Sequence, residues 1–213
     1  MEQLKDFALY SRDHKVSGTT LSRYVGYFNP NIIEERKLNI AVMDVFSRLM
    51  MDRIIFLGTE IDDDVANIIQ AQLLYLQSLD DKADIMLYLN TPGGVVSAGL
   101  GIYDTMQLVS PNVNTICTGM AASMGSVLLC AGKERSILPH ARVMIHQPIG
   151  GASGQASDII IEAKEIEKCR KELCSIIAAH TKQPYKRVFK DMDRDKWFTA
   201  NEAVKYGLVD KVL

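Results

Sequence analysis

The sequence holds little of what specialised chains are usually built from. Its four cysteines, Cys117, Cys130, Cys169 and Cys174, include no Cys-x-x-Cys pair. That spacing excludes a zinc ribbon and offers no disulfide framework, and it fits a reducing compartment such as the cytoplasm. Neither sign of charge dominates: 24 Lys and Arg face 26 Asp and Glu, for a net charge of −2. With no basic field to attract a polyanion, nucleic acid is an unsuitable partner. A Gly-x-x-x-x-Gly-Lys-[Ser/Thr] loop is missing, so no P-loop is offered to a nucleotide. The first 18 residues carry Glu2, Asp6 and Asp13 and lack the apolar stretch of a secretory signal. Over 85–132 the only charged residue is Asp104, yet Pro92-Gly93-Gly94, Gly99, Gly101 and Ser110-Pro111-Asn112 interrupt the run. A membrane-crossing helix wants about 20 unbroken apolar residues, so the run reads as the heart of a core and no membrane is expected as a partner.

What is present is ordinary globular material: 213 residues, 47% hydrophobic and 23% charged. One sizeable core is within reach of such a chain, which buries roughly 70% of its unfolded surface. Residues 1–30 show no sustained period and end at Asn29-Pro30, so they read as a flexible leader or propeptide, with a single domain over 31–213. Short apolar runs at 53–58, 85–89, 113–118 and 142–146 read as strands. Between them, helical spacing appears at 65–79, where Val65, Ile68, Ile69, Leu73, Leu76 and Leu79 recur, and again at 95–108 and 122–130. Strands separated by helices imply βαβ units and a largely parallel sheet. A long amphipathic helix is expected over 155–180, with Ile159, Ile166, Leu173, Ile176 and Ile177 on one stripe. A last helix is predicted to start at the capping box Thr199-Ala-Asn-Glu202 and stop at Gly207.

The chemistry gathers where strands end. Gly119-Met-Ala-Ala-Ser123-Met-Gly125 follows one strand and opens a helix, and its small residues allow a sharp turn that presents Ser123 where free N–H groups favour negative charge. Read alone, the same run also suits simple close packing. Asn90-Thr-Pro-Gly-Gly94 leaves another strand, and its glycines let backbone N–H groups face a ligand. Such a donor, joined to the N–H just after a nucleophile, makes an oxyanion hole. A serine nucleophile needs a base, and histidine is scarce: His14 lies in the leader, His140 in a Pro-His turn, and His180 at a helix C-terminus where a cation is favoured. His146 alone ends an apolar strand, Val143-Met-Ile-His146. An orienting carboxylate is available at Asp191, Asp193 or Asp195; of these, Asp195 stands nearest Trp197-Phe198 and is expected to be the partly buried one.

Taken together, Asn-Thr-Pro-Gly-Gly, Gly-Met-Ala-Ala-Ser-Met-Gly, Met-Ile-His-Gln-Pro, Asp-Arg-Asp and Glu-Ala-x-x-Tyr-Gly-Leu-Val-Asp closely resemble the proteolytic subunits of ATP-dependent Clp proteases, across about residues 33–213. The resemblance implies a ClpP/crotonase-like α/β fold: repeated β-β-α and βαβ units forming a mostly parallel sheet head, with a protruding helical handle at about 147–182. It implies a serine endopeptidase with Ser123 as nucleophile, His146 as base, Asp195 as orienting acid, and the amides of Gly94 and Met124 as oxyanion hole. Gly150 and Gly151 match a strand that meets substrate backbone, Asp193 and Arg194 a pair that links rings, and Tyr88 an aromatic residue where an ATPase docks. The implied assembly is a tetradecamer of two stacked heptameric rings, fed with unfolded polypeptide by a hexameric AAA+ unfoldase that consumes the ATP; the chain itself needs no cofactor and no metal. Residues 34–42 depart from the family's axial-pore hairpin, and leader removal is expected near 26–28. Two rival readings are an acyl-CoA hydratase or isomerase on the same architecture, and a non-catalytic ring subunit. The first normally requires a carboxylate base, and the second has usually lost a triad residue.

Overall fold

The computed structural model describes residues 31–36 and 39–213, with side chains from Asp44 onward. The expected leader, with its cleavage near 26–28 and His14, lies outside these residues. The chain divides into two compact units, Met1–Ile55 and Phe56–Leu213. Within the first, β1 (Asn31–Arg36) and β2 (Asn39–Asp44) pair antiparallel, from Asn31 opposite Asp44 to Arg36 opposite Asn39. The segment that departs in sequence from the family's hairpin thus still contributes two antiparallel strands. Helix α1 (Val45–Met51) follows at once, because the Asp44 carboxylate accepts the Ser47 N–H at 2.9 Å and caps it.

The rest is a seven-stranded sheet with helices, the mostly parallel α/β arrangement expected from the alternation of apolar runs. The strands are β3 (Ile54–Leu57), β4 (Ile85–Thr91), β5 (Val113–Ala122), β6 (Arg135–Ile137), β7 (Arg142–Ile145), β8 (Lys196–Thr199) and β9 (Lys211–Val212). The main path runs β3-β4-β5-β6-β9, and β5 is its hub. Its first half pairs in parallel with β6, from Thr115 opposite Arg135 to Cys117 opposite Ile137. Its second half turns to β7, from Met120 opposite Arg142 to Ala122 opposite Met144. Among the β4–β5, β5–β6, β5–β7, β6–β9 and β7–β8 pairs only the last is antiparallel. The strand expected to stop at Thr118 therefore runs four residues further, to Ala122. Its small residues, which read from sequence as the start of a turn, serve as a second pairing surface.

Helix α2 (Asp63–Leu79) starts where the Asp62 carboxylate accepts the Val65 N–H at 2.8 Å, with Asp63 and Asp64 favouring the positive end of the dipole. Its buried face, Val65, Ala66, Ile68, Ile69, Leu73 and Leu76, contributes roughly 1.5–3 kcal/mol for each large side chain removed from water. Helix α3 (Val96–Leu108) packs beside it, and α4 (Met124–Cys130), wholly buried, leads away from β5. Helix α5 (Ala156–Thr181) is the long one, and α6 (Tyr185–Asp191) and α7 (Ala200–Tyr206) complete the set. The capping box at Thr199 forms, and Gly207 ends α7 at φ 90°, where a Cβ would lie 2.6 Å from the Thr181 carbonyl oxygen.

The apolar stripe expected along α5 is buried only in its C-terminal half, through Leu173, Cys174, Ile177 and Thr181. Toward the other end Ile159, Ile160 and Ile161 stand 41%, 53% and 65% exposed. Period alone marks a face as apolar without saying what covers it. His180 also departs from expectation: burial, helped by the Arg135 cation, lowers its pKa from the usual histidine value, so this helix end holds a neutral imidazole. Its Nε2 lies 3.0 Å from the Tyr103 hydroxyl on α3. The guanidinium takes over the role of the expected cation, donating to the carbonyls of His180 at 3.1 Å and Gly207 at 2.8 Å while paired with Asp210.

Candidate active site

Three strands of the sheet, β4, β5 and β7, bring their carboxyl ends to one edge, the place where open α/β sheets collect chemistry. Ser123 follows directly on β5 and precedes α4 with φ 54° and ψ −123°, one of three non-glycine residues at positive φ among the described residues. An L-residue held there is strained by about 1–3 kcal/mol, and the turn aims its side chain off the sheet. The turn is fixed by its backbone: Ser123 N–H donates to the Met144 carbonyl at 2.9 Å, and the Ser123 carbonyl accepts from the Ser126 N–H at 2.9 Å and the Ser126 hydroxyl at 2.6 Å.

His146 comes one residue after β7 and Asp195 one residue before β8. The antiparallel register of those strands ends at Ile145 opposite Lys196, so the next rung sets His146 opposite Asp195 on the same face. His146 Nδ1 lies 3.0 Å from Asp195 Oδ1, and its Nε2 lies 2.8 Å from Ser123 Oγ. Serine, histidine and aspartate thus form one continuous chain of hydrogen-bond contacts. Beside it, a small cavity is lined by Val96, Met124, Val127, Pro148, Leu173, Ile177 and Met192. It is an apolar recess at the serine.

The burial argument for choosing among the three aspartates fails, although the residue it favoured is the one that reaches His146. The Asp195 side chain is 62% exposed, whereas that of Asp191 is 16% exposed. Burial alone raises the Asp191 carboxyl, but hydrogen bonds from Lys196 at 2.6 Å and Tyr206 at 2.9 Å, with the charges of Lys196 and Arg187, carry it below its ordinary value. Asp191 clamps the base of the loop that carries Asp195. Gln147 holds the same loop from the other side, its N–H bonding the Met192 carbonyl at 2.5 Å and its amide the Asp193 carbonyl at 2.8 Å. Sequence reasoning missed both supports. The only signal for Gln147 is its place beside His146; nothing local marks the bonds that Asp191 makes.

The remaining candidates fall as follows. Gly94 forms an isolated parallel bridge with Ile61, in which Ile61 N–H bonds the Gly93 carbonyl and Val95 N–H bonds the Ile61 carbonyl, both at 2.8 Å. In that pattern the N–H of Gly94 itself points away from Ile61. Gly93 packs on the serine turn so closely that a Cβ there would lie 2.7 Å from Ser123 Cβ and 2.9 Å from Met124 N. Gly150 and Gly151 are exposed in the loop before α5. Asp193 pairs with Arg170 of α5 at 3.0 Å, and Arg170 also lies over the Phe189 ring at 4.1 Å; Arg194 is exposed. Tyr88 on β4 is half-buried and stacked against Phe56, with 6.5 Å between centroids. His140 is exposed in its turn.

Burial pushes the thiols of Cys117 and Cys130 up to about 12 and raises that of Cys174, so none of these three is a poised nucleophile. Among the described residues no group of three or more His, Cys, Asp or Glu side chains is arranged to hold a metal ion, and no helix is long and apolar enough to cross a membrane.

A family model described as Clp protease matches residues 36–213. Relatives bearing the name "ATP-dependent Clp protease proteolytic subunit" occur in Bacteroides thetaiotaomicron, 59% identical over 99% of both chains, and in Porphyromonas gingivalis, 58% identical over 99% of this chain and 98% of that one. A third, from Bacteroides fragilis, is 65% identical over 88% of this chain and 92% of its own.

Proposed function

The chain belongs to the Clp protease family, and from that premise we propose that it cleaves peptide bonds as a serine endopeptidase, with Ser123, His146 and Asp195 as its triad. The observation that carries this reading is the unbroken path from Ser123 Oγ through His146 to Asp195, with contacts of 2.8 and 3.0 Å. His146 Nε2 takes the serine proton as Oγ attacks the scissile carbonyl, and returns it to the leaving amine. Asp195 accepts from Nδ1–H, fixes the tautomer that leaves Nε2 free to act as base, and steadies the imidazolium. The amides of Gly94 and Met124 receive the oxyanion; each such donor is typically worth about 10²- to 10³-fold in rate. In support, no hydrogen bond is found for either N–H among the described residues.

The same reading extends to the assembly. Two stacked heptameric rings would cover the exposed isoleucines of α5, with Asp193 and Arg194 at the contact between rings, although Asp193 is here engaged by Arg170. Gly150 and Gly151 offer backbone to an extended substrate. Tyr88 belongs to the surface for a hexameric AAA+ unfoldase, which spends the ATP while this chain, in the cytoplasm, works without cofactor. The deciding experiment pairs Ser123→Ala with the unaltered chain. Fluorophosphonate labelling and hydrolysis of a fluorogenic peptide disappear in the variant while it still assembles with the same number of subunits. Labelling that persists in Ser123→Ala overturns the assignment.

A further inference from the structure

We infer that Thr91 is a positioning residue for the oxyanion hole, acting through its hydroxyl on the turn that carries Gly94. The inference rests on the proposed serine peptidase reading. Thr91 ends β4 and is fully buried. Its Oγ1 accepts the N–H of Gly93 at 3.1 Å, a bond closed entirely inside the protein. Its methyl faces the other turn: a Cβ on Gly125 would lie 2.7 Å from Thr91 Cγ2. One side chain therefore touches both turns that supply donors, the Gly93-Gly94 turn through oxygen and the Ser123–Gly125 turn through carbon.

The hydroxyl also decides which N–H faces the substrate. Gly93 packs against the serine turn, Gly94 follows it, and both glycines have positive φ, at 93° and 154°. Glycine adopts many conformations at such positions, so the turn has little stiffness of its own. Ile61 holds it from one side through the carbonyl of Gly93 and the N–H of Val95. Of the two glycine amides that bridge leaves untied, Thr91 Oγ1 ties that of Gly93 inward. With that amide taken, Gly94 is left as the outward donor. A tilted Gly94 amide would weaken binding to the tetrahedral oxygen while leaving substrate binding nearly untouched.

Thr91→Val keeps the shape and removes the acceptor, Thr91→Ser keeps the acceptor and removes the methyl, and Thr91→Cys offers a weaker acceptor at the size of serine. On the purified full-length chain, Thr91→Val is expected to lower kcat for a fluorogenic peptide about ten- to hundredfold, with KM changed less than about twofold. Affinity for a peptide boronate, whose adduct is tetrahedral, should fall by the same factor as kcat/KM, and Thr91→Ser should restore both to within about threefold of the parent. Should Thr91→Val fail to fold, Ser against Cys carries the same comparison, with Cys slower. The inference is overturned if Thr91→Val keeps its kcat and boronate affinity, if Ser is as impaired as Val, or if Cys matches Ser. An unaltered chain that ignores fluorophosphonate overturns the serine reading and this one with it; a labelled, active parent beside an unaffected Thr91→Val overturns this one alone.

Discussion

At the scale of single residues, the site is a set of local costs. Ser123 sits at φ 54°, where a β-carbon is crowded by its own backbone, and the surrounding bonds to Met144 and Ser126 hold it there. Glycine accepts that conformation freely, whereas alanine removes the hydroxyl and keeps the crowding. Ser123→Gly should therefore be more stable than Ser123→Ala by about 1 kcal/mol, although both are inactive. Equal urea midpoints for the two variants would remove the claim of strain. Much of this scale was legible beforehand. Small residues around Ser123 and the strand-end position of His146 mark both places, although each also suits a purely structural role. Which aspartate reaches His146 did not follow from neighbours in sequence, because the pairing of β7 with β8 decides it, and burial pointed to Asp195 for a reason that holds instead for Asp191.

At the scale of elements, apolar period located α2, α3, α5 and the buried strands, because each buries a face of its own. It overlooked β6, β8 and β9, two to four residues long, which exist only as partners to other strands. The junction of α5 with α3 gives a pH dependence. Burial and the nearby Arg135 lower the pKa of His180 in the folded chain, while in the unfolded chain it keeps the ordinary histidine value of about 6.5. Below that value the unfolded chain binds the extra proton more readily, so stability is full above about pH 6.5 and falls as the solution is acidified. His180→Gln, which can still meet the Tyr103 hydroxyl, should flatten the fall of the stability curve below about pH 6.5. The groups facing this imidazole are the Tyr103 hydroxyl and Arg135, itself paired with Asp210. An unchanged slope in the variant would place the titration elsewhere.

At the scale of the whole molecule, Ile159, Ile160 and Ile161 are exposed side by side on one end of α5. Isoleucine at such positions costs solubility unless another surface covers it. If rings stack through this helix, Ile160→Glu with Ile161→Glu should halve the particle mass in native mass measurement while leaving the helical circular dichroism of the chain intact. A variant of parental mass would show that the isoleucines face no partner. The chain between His146 and Asp195, which are 49 positions apart, leaves one rung of a two-strand ladder and returns at the next. The exposed N-terminal part of that excursion can thus lengthen or shorten, whereas its return through Asp191 and Met192 is tied to Lys196, Tyr206 and Gln147 and cannot. A single residue inserted inside β8 is another matter: it turns the carboxylate to the opposite face and disconnects the imidazole. Tolerance to change is therefore widest far from the rung and vanishes within two short strands.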